Sequence, residues 1–297
     1  MKTFFILAVS FALQSQAFAQ LRSVKEYQIG SKWGKAPITQ TQYQSETAVF
    51  QRAAAATAFL GGGTAFYIGL FDGKHVIATN HHVCPTLKSC VGKMARFSVL
   101  GKKQKVSMTF GTWPEIDLSL HAIDVLAAEA ATFSAIAKNF SFDHELYRGQ
   151  LLLTVGYGSA SNPMGRIVAN QDSDCKVFSD RGEFRFMADP DAIKPGTYKA
   201  WSFATGCDVS HGDSGSAMVD RQTGEVVGVI WTGKFPKLAT VQNSSYLDAL
   251  LVHPTEEIWT ELSYAVPAMK IKEFLLNQIG QTKMDPVTLG VLQRVIQ

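Results

Sequence analysis

The chain has 297 residues, 46% hydrophobic and 18% charged, with a formal net charge of +3. That length admits one large domain or two small ones with a sizeable core. So small a charge, with no basic stripe interleaved with aromatics, argues against a nucleic-acid partner.

Residues 1–19 read MKTFFILAVSFALQSQAFA: one early lysine, an apolar run, and Ala17-Phe18-Ala19 just before Gln20. This is the layout of a signal peptide with a small-residue cleavage site, and it predicts a secreted or periplasmic protein. No later stretch reaches about 20 apolar residues, so no membrane anchor is expected. Residues 20–48 are rich in Gln, Thr, Ser and Lys with little periodicity, the texture of a polar N-terminal arm or pro-segment. From Val49 short apolar runs recur, broken by Gly, Asp, Asn and Lys: AAAATAFL, GTAFYIGLF, HVIAT, RFSVL, KVSMTF, DLSLHAI, QLLLTVGYG, EVVGVIW and SYAVP. Many short strands with turn signals between them predict an all-β barrel or sandwich. Helical spacing comes late, in AMKIKEFLLNQIG, which follows Pro267 and ends at Gly280. Residues 281–297 are a tail in which PVTLGVLQRVI predicts a short apolar-faced segment.

Four cysteines, Cys84, Cys90, Cys175 and Cys207, form an even set that in an exported chain predicts two disulfides. Spacing alone leaves their connectivity open. Metal binding is the rival reading. No Cys-x-x-Cys pair is present and HHVC lacks the spaced second half of a zinc site, so no metal is expected.

The stretch CDVSHGDSGSAM, residues 207–218, places Ser214 between an aspartate and a glycine. A serine hydroxyl is a poor nucleophile until a base takes its proton and a third group holds that base. It also needs donors for the negative oxygen that develops on the attacked carbonyl. Glycines around Ser214 permit a tight turn, and the N–H groups of Gly212 and Ser214 are the candidate oxyanion hole. Ser216 stands where the Gly-x-Ser-x-Gly elbow of α/β-hydrolases would have its second glycine. The candidate base lies in VIATNHHVC, where the local pattern does not choose between His81 and His82. The candidate orienting acid is Asp117, at the head of the alternating segment DLSLHAI.

The order His, Asp, Ser, with tens of residues between them, is that of the chymotrypsin arrangement. With these motifs the chain resembles a secreted, trypsin-like bacterial serine protease of the chymotrypsin fold. The likeness is to the HtrA-type and glutamyl endopeptidase branches, without a C-terminal peptide-binding domain. GGGTAFYIG…HVIATNHHV is similar to the family's Gly-Thr-Gly-Phe strand and Thr-Asn-x-His-Val, a register that selects His82. DLSL resembles Asp-x-Ala-Leu around the acid, and GDSGSAMVD…GEVVGVIWTG resembles the nucleophile turn and substrate-binding strand.

The resemblance implies two six-stranded antiparallel β-barrels with a C-terminal helix, the protease domain running over residues 49–280. It implies a His82–Asp117–Ser214 triad, an acyl-enzyme, no cofactor, protein or peptide substrates, and a monomer. It pairs Cys84 with Cys90 and Cys175 with Cys207. It places Asp208 at the base of the primary specificity pocket, favouring cleavage after Lys or Arg, with Trp231 and Gly233 on the pocket wall. Asp213 stands where zymogen-activated relatives pair an aspartate with a freed N-terminus, and here it has either that role or one of bracing the loop. Two other functions are compatible with the same residues: a catalytically silent binding protein on this fold, and an esterase using the same triad.

Overall fold

The computed structural model describes residues 24–297 except 161, 163, 164, 192–197 and 282. The expected signal peptide, residues 1–19, lies outside the described residues.

Six strands close a barrel in the order β2-β3-β4-β7-β6-β5. They are β2 (Thr57–Leu60), β3 (Gly63–Phe71), β4 (Lys74–Thr79), β5 (Met94–Phe97), β6 (Lys102–Trp113) and β7 (Leu118–Ile123). Each contains or overlaps an apolar run bounded by turn residues. The β3–β4 hairpin turns on Asp72 and Gly73, both with positive φ (49° and 73°). Asp-Gly is the dipeptide that two-residue hairpin turns favour, because both residues tolerate the left-handed region. Leu60, Tyr67, Ile77, Phe97 and Val106 pack in the barrel with Phe133 of a helix, Ala130–Ile136.

The second sheet has eight strands in the order β1-β9-β8-β12-β13-β14-β11-β10. They are β1 (Lys35–Pro37), β8 (Leu152–Gly156), β9 (Val168–Asn170), β10 (Arg185–Ala188), β11 (Lys199–Thr205), β12 (Ala217–Asp220), β13 (Val226–Gly233) and β14 (Ser263–Pro267). The expected second six-stranded barrel is therefore not what forms: among the described residues this sheet is open. The physical reason is at its edges. On one side β1, from the polar arm, adds to β9 through Lys35↔Asn170 and Pro37↔Val168. On the other, among the described residues the gap between the β8 and β11 sides is spanned by the isolated bridges Leu151↔Lys176 and Val177↔Thr205 and not by a ladder.

Helices cover the flanks. AAAATAFL, read as a strand, is divided: Ala48–Ala56 is helical and only Thr57–Leu60 is strand. Alanine is the best helix former, and the Thr47 hydroxyl accepts the Phe50 N–H at 3.2 Å, capping the start. A helix at Ser244–Val252 has no counterpart among the expected elements. The helix after Pro267 runs Ala268–Gln281, and the tail contains another, Pro286–Val295, capped by Asp285.

Candidate active site

The stretch after β4 carries the two histidines, and a single 3-10 turn, Pro114–Ile116, delivers Asp117 to the head of β7. Asp117 is fully buried and left-handed, with φ 35°. Its carboxylate faces one histidine: Oδ2 lies 2.7 Å from His82 Nδ1, and Oδ1 accepts the His82 backbone N–H at 2.9 Å. Asn80 Nδ2 donates to the Asp117 carbonyl at 2.8 Å. A carboxylate only accepts, so the imidazole proton sits on Nδ1 and Nε2 keeps its lone pair. His81 points elsewhere, with Nδ1 2.7 Å from Thr112 Oγ1 and its ring edge-on to Tyr198. Burial lowers its pKa, while the Asp117 charge works the other way.

Ser214 sits in the turn that precedes β12. Gly212 has φ 97°, and a Cβ there would lie 2.6 Å from the Tyr157 carbonyl oxygen. Gly215 has φ 87°, and a Cβ there would lie 2.1 Å from the Thr64 carbonyl oxygen. Both positions therefore require glycine. Thr64 of β3 fastens the turn to the barrel: its N–H donates to the Ser214 carbonyl at 2.8 Å and its hydroxyl to the Gly212 carbonyl at 2.7 Å. The His211 carbonyl accepts the Ser159 N–H at 2.8 Å. In a trans peptide the carbonyl and the next N–H point in opposite directions, so the Gly212 N–H faces away from Ser159. Among the described residues neither the Gly212 nor the Ser214 N–H has a protein acceptor. His82, Ser214 and Gly212 line one cleft of about 610 Å³. Such a set can deprotonate a hydroxyl, hold the imidazolium that results, and receive an oxyanion.

Residues 63–229, more than half of the chain, match the family model of the trypsin-like peptidase domain. The chain belongs to this family. Among solved structures, Rv3671c of M. tuberculosis H37Rv, an inactive form with a serine replaced by alanine, superposes with a TM-score of 0.52 at 15% identity, over 86% of this chain and 100% of that one. A serine endoprotease from Yersinia pestis gives 0.48 at 15% identity, over 83% and 68% of the two chains. The HtrA-type protease AlgW with a tripeptide gives 0.48 at 16%, over 78% and 62%. The first of these likenesses shows a shared fold. No curated protein sequence matches the chain.

In this trypsin-like peptidase the sequence-derived pocket residues separate. Trp231 lines the cleft, its Nε1 donating to Ser202 Oγ at 2.9 Å. Gly233 is not a cleft-lining residue: it is paired with Ser263, and the Phe235 ring covers it. Asp208, expected at the base of the specificity pocket, does not reach the cleft. It is 1% exposed, and its oxygens accept the N–H groups of Ile29 at 2.7 Å and Gly34 at 2.6 Å. The polar arm thus occupies both of its oxygens. Burial pushes the Asp208 carboxyl up to about 8, against the pull of those two N–H groups.

The carboxylates that do line the cleft, Asp189 and Asp191, come from the segment after β10 and belong to no motif visible in the sequence. Asp189 accepts the Thr232 hydroxyl, and burial raises its pKa, with the Thr232 bond opposing. Asp191 Oδ2 lies 3.5 Å from His211 Nε2. The sulfurs of Cys84 and Cys90 are joined, as are those of Cys175 and Cys207. The first pair lies close to buried His121 but, being oxidised, offers no thiolate to a metal.

Proposed function

We propose that the protein is a serine endopeptidase that works outside the cytoplasm. Ser214 attacks the scissile carbonyl while His82 Nε2 takes its proton. Asp117 holds the imidazole tautomer and stabilises the imidazolium. The Gly212 and Ser214 N–H groups receive the oxyanion. The acyl-enzyme forms as His82 returns its proton to the leaving amine, and water then releases the acid by the same steps reversed. The observation that carries this reading is the doubly bonded His82–Asp117 pair opening on the same cleft as a serine turn whose two N–H groups are uncommitted within the described chain. Two disulfides support an exported protein. With Asp208 buried and bonded to the arm, a preference for basic side chains rests on Asp189 and Asp191.

The test is labelling with a fluorophosphonate, the labelled peptide being identified by mass spectrometry. The wild type and the His81→Ala variant are expected to label at Ser214, while Ser214→Ala and His82→Ala are not. A wild type that neither labels nor cleaves denatured casein would refute the reading.

A further inference from the structure

Asp213, the residue before Ser214, is fully buried. Its Oδ1 accepts the Gly158 N–H at 2.9 Å and its Oδ2 the Ser210 N–H at 2.8 Å. A buried carboxylate without a counter-charge is strongly unfavourable. The counter-charge is Lys35, whose ammonium forms an ion pair with Asp213 Oδ2, the two side chains being 2% and 0% exposed. Among the described residues no other carboxylate forms an ion pair with this ammonium.

Lys35 arrives there on a fixed path. It opens β1 opposite Asn170. The chain before it is pinned by the Ile29 and Gly34 N–H groups on Asp208 and by the Gly30 N–H on the Val241 carbonyl at 2.8 Å. Asp213 lies between the two residues whose N–H groups are the oxyanion donors. Its carboxylate folds back onto the Ser210 N–H and reaches the Gly158 N–H, which fixes the turn from both sides. A Cβ at Gly158 would lie 2.2 Å from Asp213 Oδ2, so the chain here is shaped to the carboxylate.

We propose that Lys35 is a positioning residue for hydrolysis. From an uncut arm its side-chain ammonium does what a liberated α-amine would do, holding Asp213 and with it the Gly212–Ser214 turn in the form that presents both N–H groups to the cleft. The arm is thereby an internal activator, and cutting it away inactivates the protein instead of switching it on. This rests on the peptidase reading above.

The experiment compares the full chain as wild type, Lys35→Met, Lys35→Arg and the charge-free pair Lys35→Met with Asp213→Leu. Steady-state kinetics on a cleavable peptide are read beside amide hydrogen exchange of residues 206–216, with residues 102–110 as internal reference. Lys35→Met is expected to lower kcat by about 100-fold or more with KM within about threefold, the scale of losing an oxyanion donor. It should speed exchange in 206–216 and leave 102–110 unaltered. Lys35→Arg, which keeps the charge, should recover about tenfold of the loss or more. Wild-type kcat and unaltered 206–216 exchange in a folded Lys35→Met would overturn the proposal. If that variant does not fold, the same result in the charge-free pair would overturn it. If the wild type itself neither cleaves nor labels, the peptidase reading fails, and the exchange of 206–216 still decides whether Lys35 holds the turn.

Discussion

Replacing Asp208 with alanine separates a structural carboxylate from a specificity carboxylate. The side chain accepts two buried backbone N–H groups, from Ile29 and Gly34. Alanine orphans both, at about 1–3 kcal/mol each, so about 2–6 kcal/mol is lost near pH ~4. The size of the loss depends on pH. The folded carboxyl holds its proton to about 8, whereas the unfolded one releases it near ~3.9. Between those values the folded state binds more protons, so wild-type stability falls as pH rises, by up to about 1.4 kcal/mol per pH unit. Asp208→Ala has no such slope, and its deficit should shrink steadily from about pH 4 towards 8. Urea denaturation across that range measures this. Peptides differing only in Arg or Leu before the scissile bond measure specificity, and the Arg-to-Leu ratio should stay within about twofold of wild type, because Asp208 touches no substrate. A collapse of that ratio with stability unchanged would refute the reasoning.

Asp117→Asn keeps the shape but lets an amide N–H face His82 Nδ1, leaving the imidazole proton on Nε2. We expect kcat to fall by about four orders of magnitude with KM little changed, measured by single-substrate kinetics. His121 is buried between Thr109 and Ser119, and burial holds its pKa at about 3. The unfolded chain protonates this histidine from about pH 6.5 downward while the folded one does not, so stability should fall with acidification at about 1.4 kcal/mol per unit until near pH 3. His121→Gln should remove that slope in urea melts taken between about pH 6 and 4, and an unchanged slope would place the acid sensitivity elsewhere.

The parts of the fold that were legible in the sequence are those written in side-chain pattern. The runs from GTAFYIGLF to DLSLHAI sit in the closed barrel because short apolar runs and the turn residues between them agree there. AAAATAFL misled because an alanine run is apolar without being β-branched, and the Thr47 cap outweighs its resemblance to a strand. The arm was opaque for a different reason. It is tied down largely by main-chain N–H groups on Asp208, and these leave no trace in residue type. Lys35, in SKWGKAP, reads as one more solvated lysine, although its partner Asp213 stands out in the sequence as a residue that either pairs with a freed N-terminus or braces the loop. The choice of His82 over His81 came from the family register, and the distances to Asp117 are those of His82. Asp189 and Asp191 carried no signal at all, since no spacing marks a carboxylate that reaches a cleft from a neighbouring loop.

The bonds that seat the arm join very distant parts of the chain: Ile29 and Asp208 are separated by 179 positions, Gly34 and Asp208 by 174. Contacts of such separation form late, because loop-closure entropy must be met before they stabilise anything. A nascent chain emerges from the ribosome with its arm first and its nucleophile turn long after, so the arm waits without a partner until most of the polypeptide exists. A fragment released early from translation has the lysine and not the aspartate, and an unfolded precursor has both but not the pairing. Ribosomal products that stop short of Asp213, or that have not yet folded, therefore lack the Lys35–Asp213 contact.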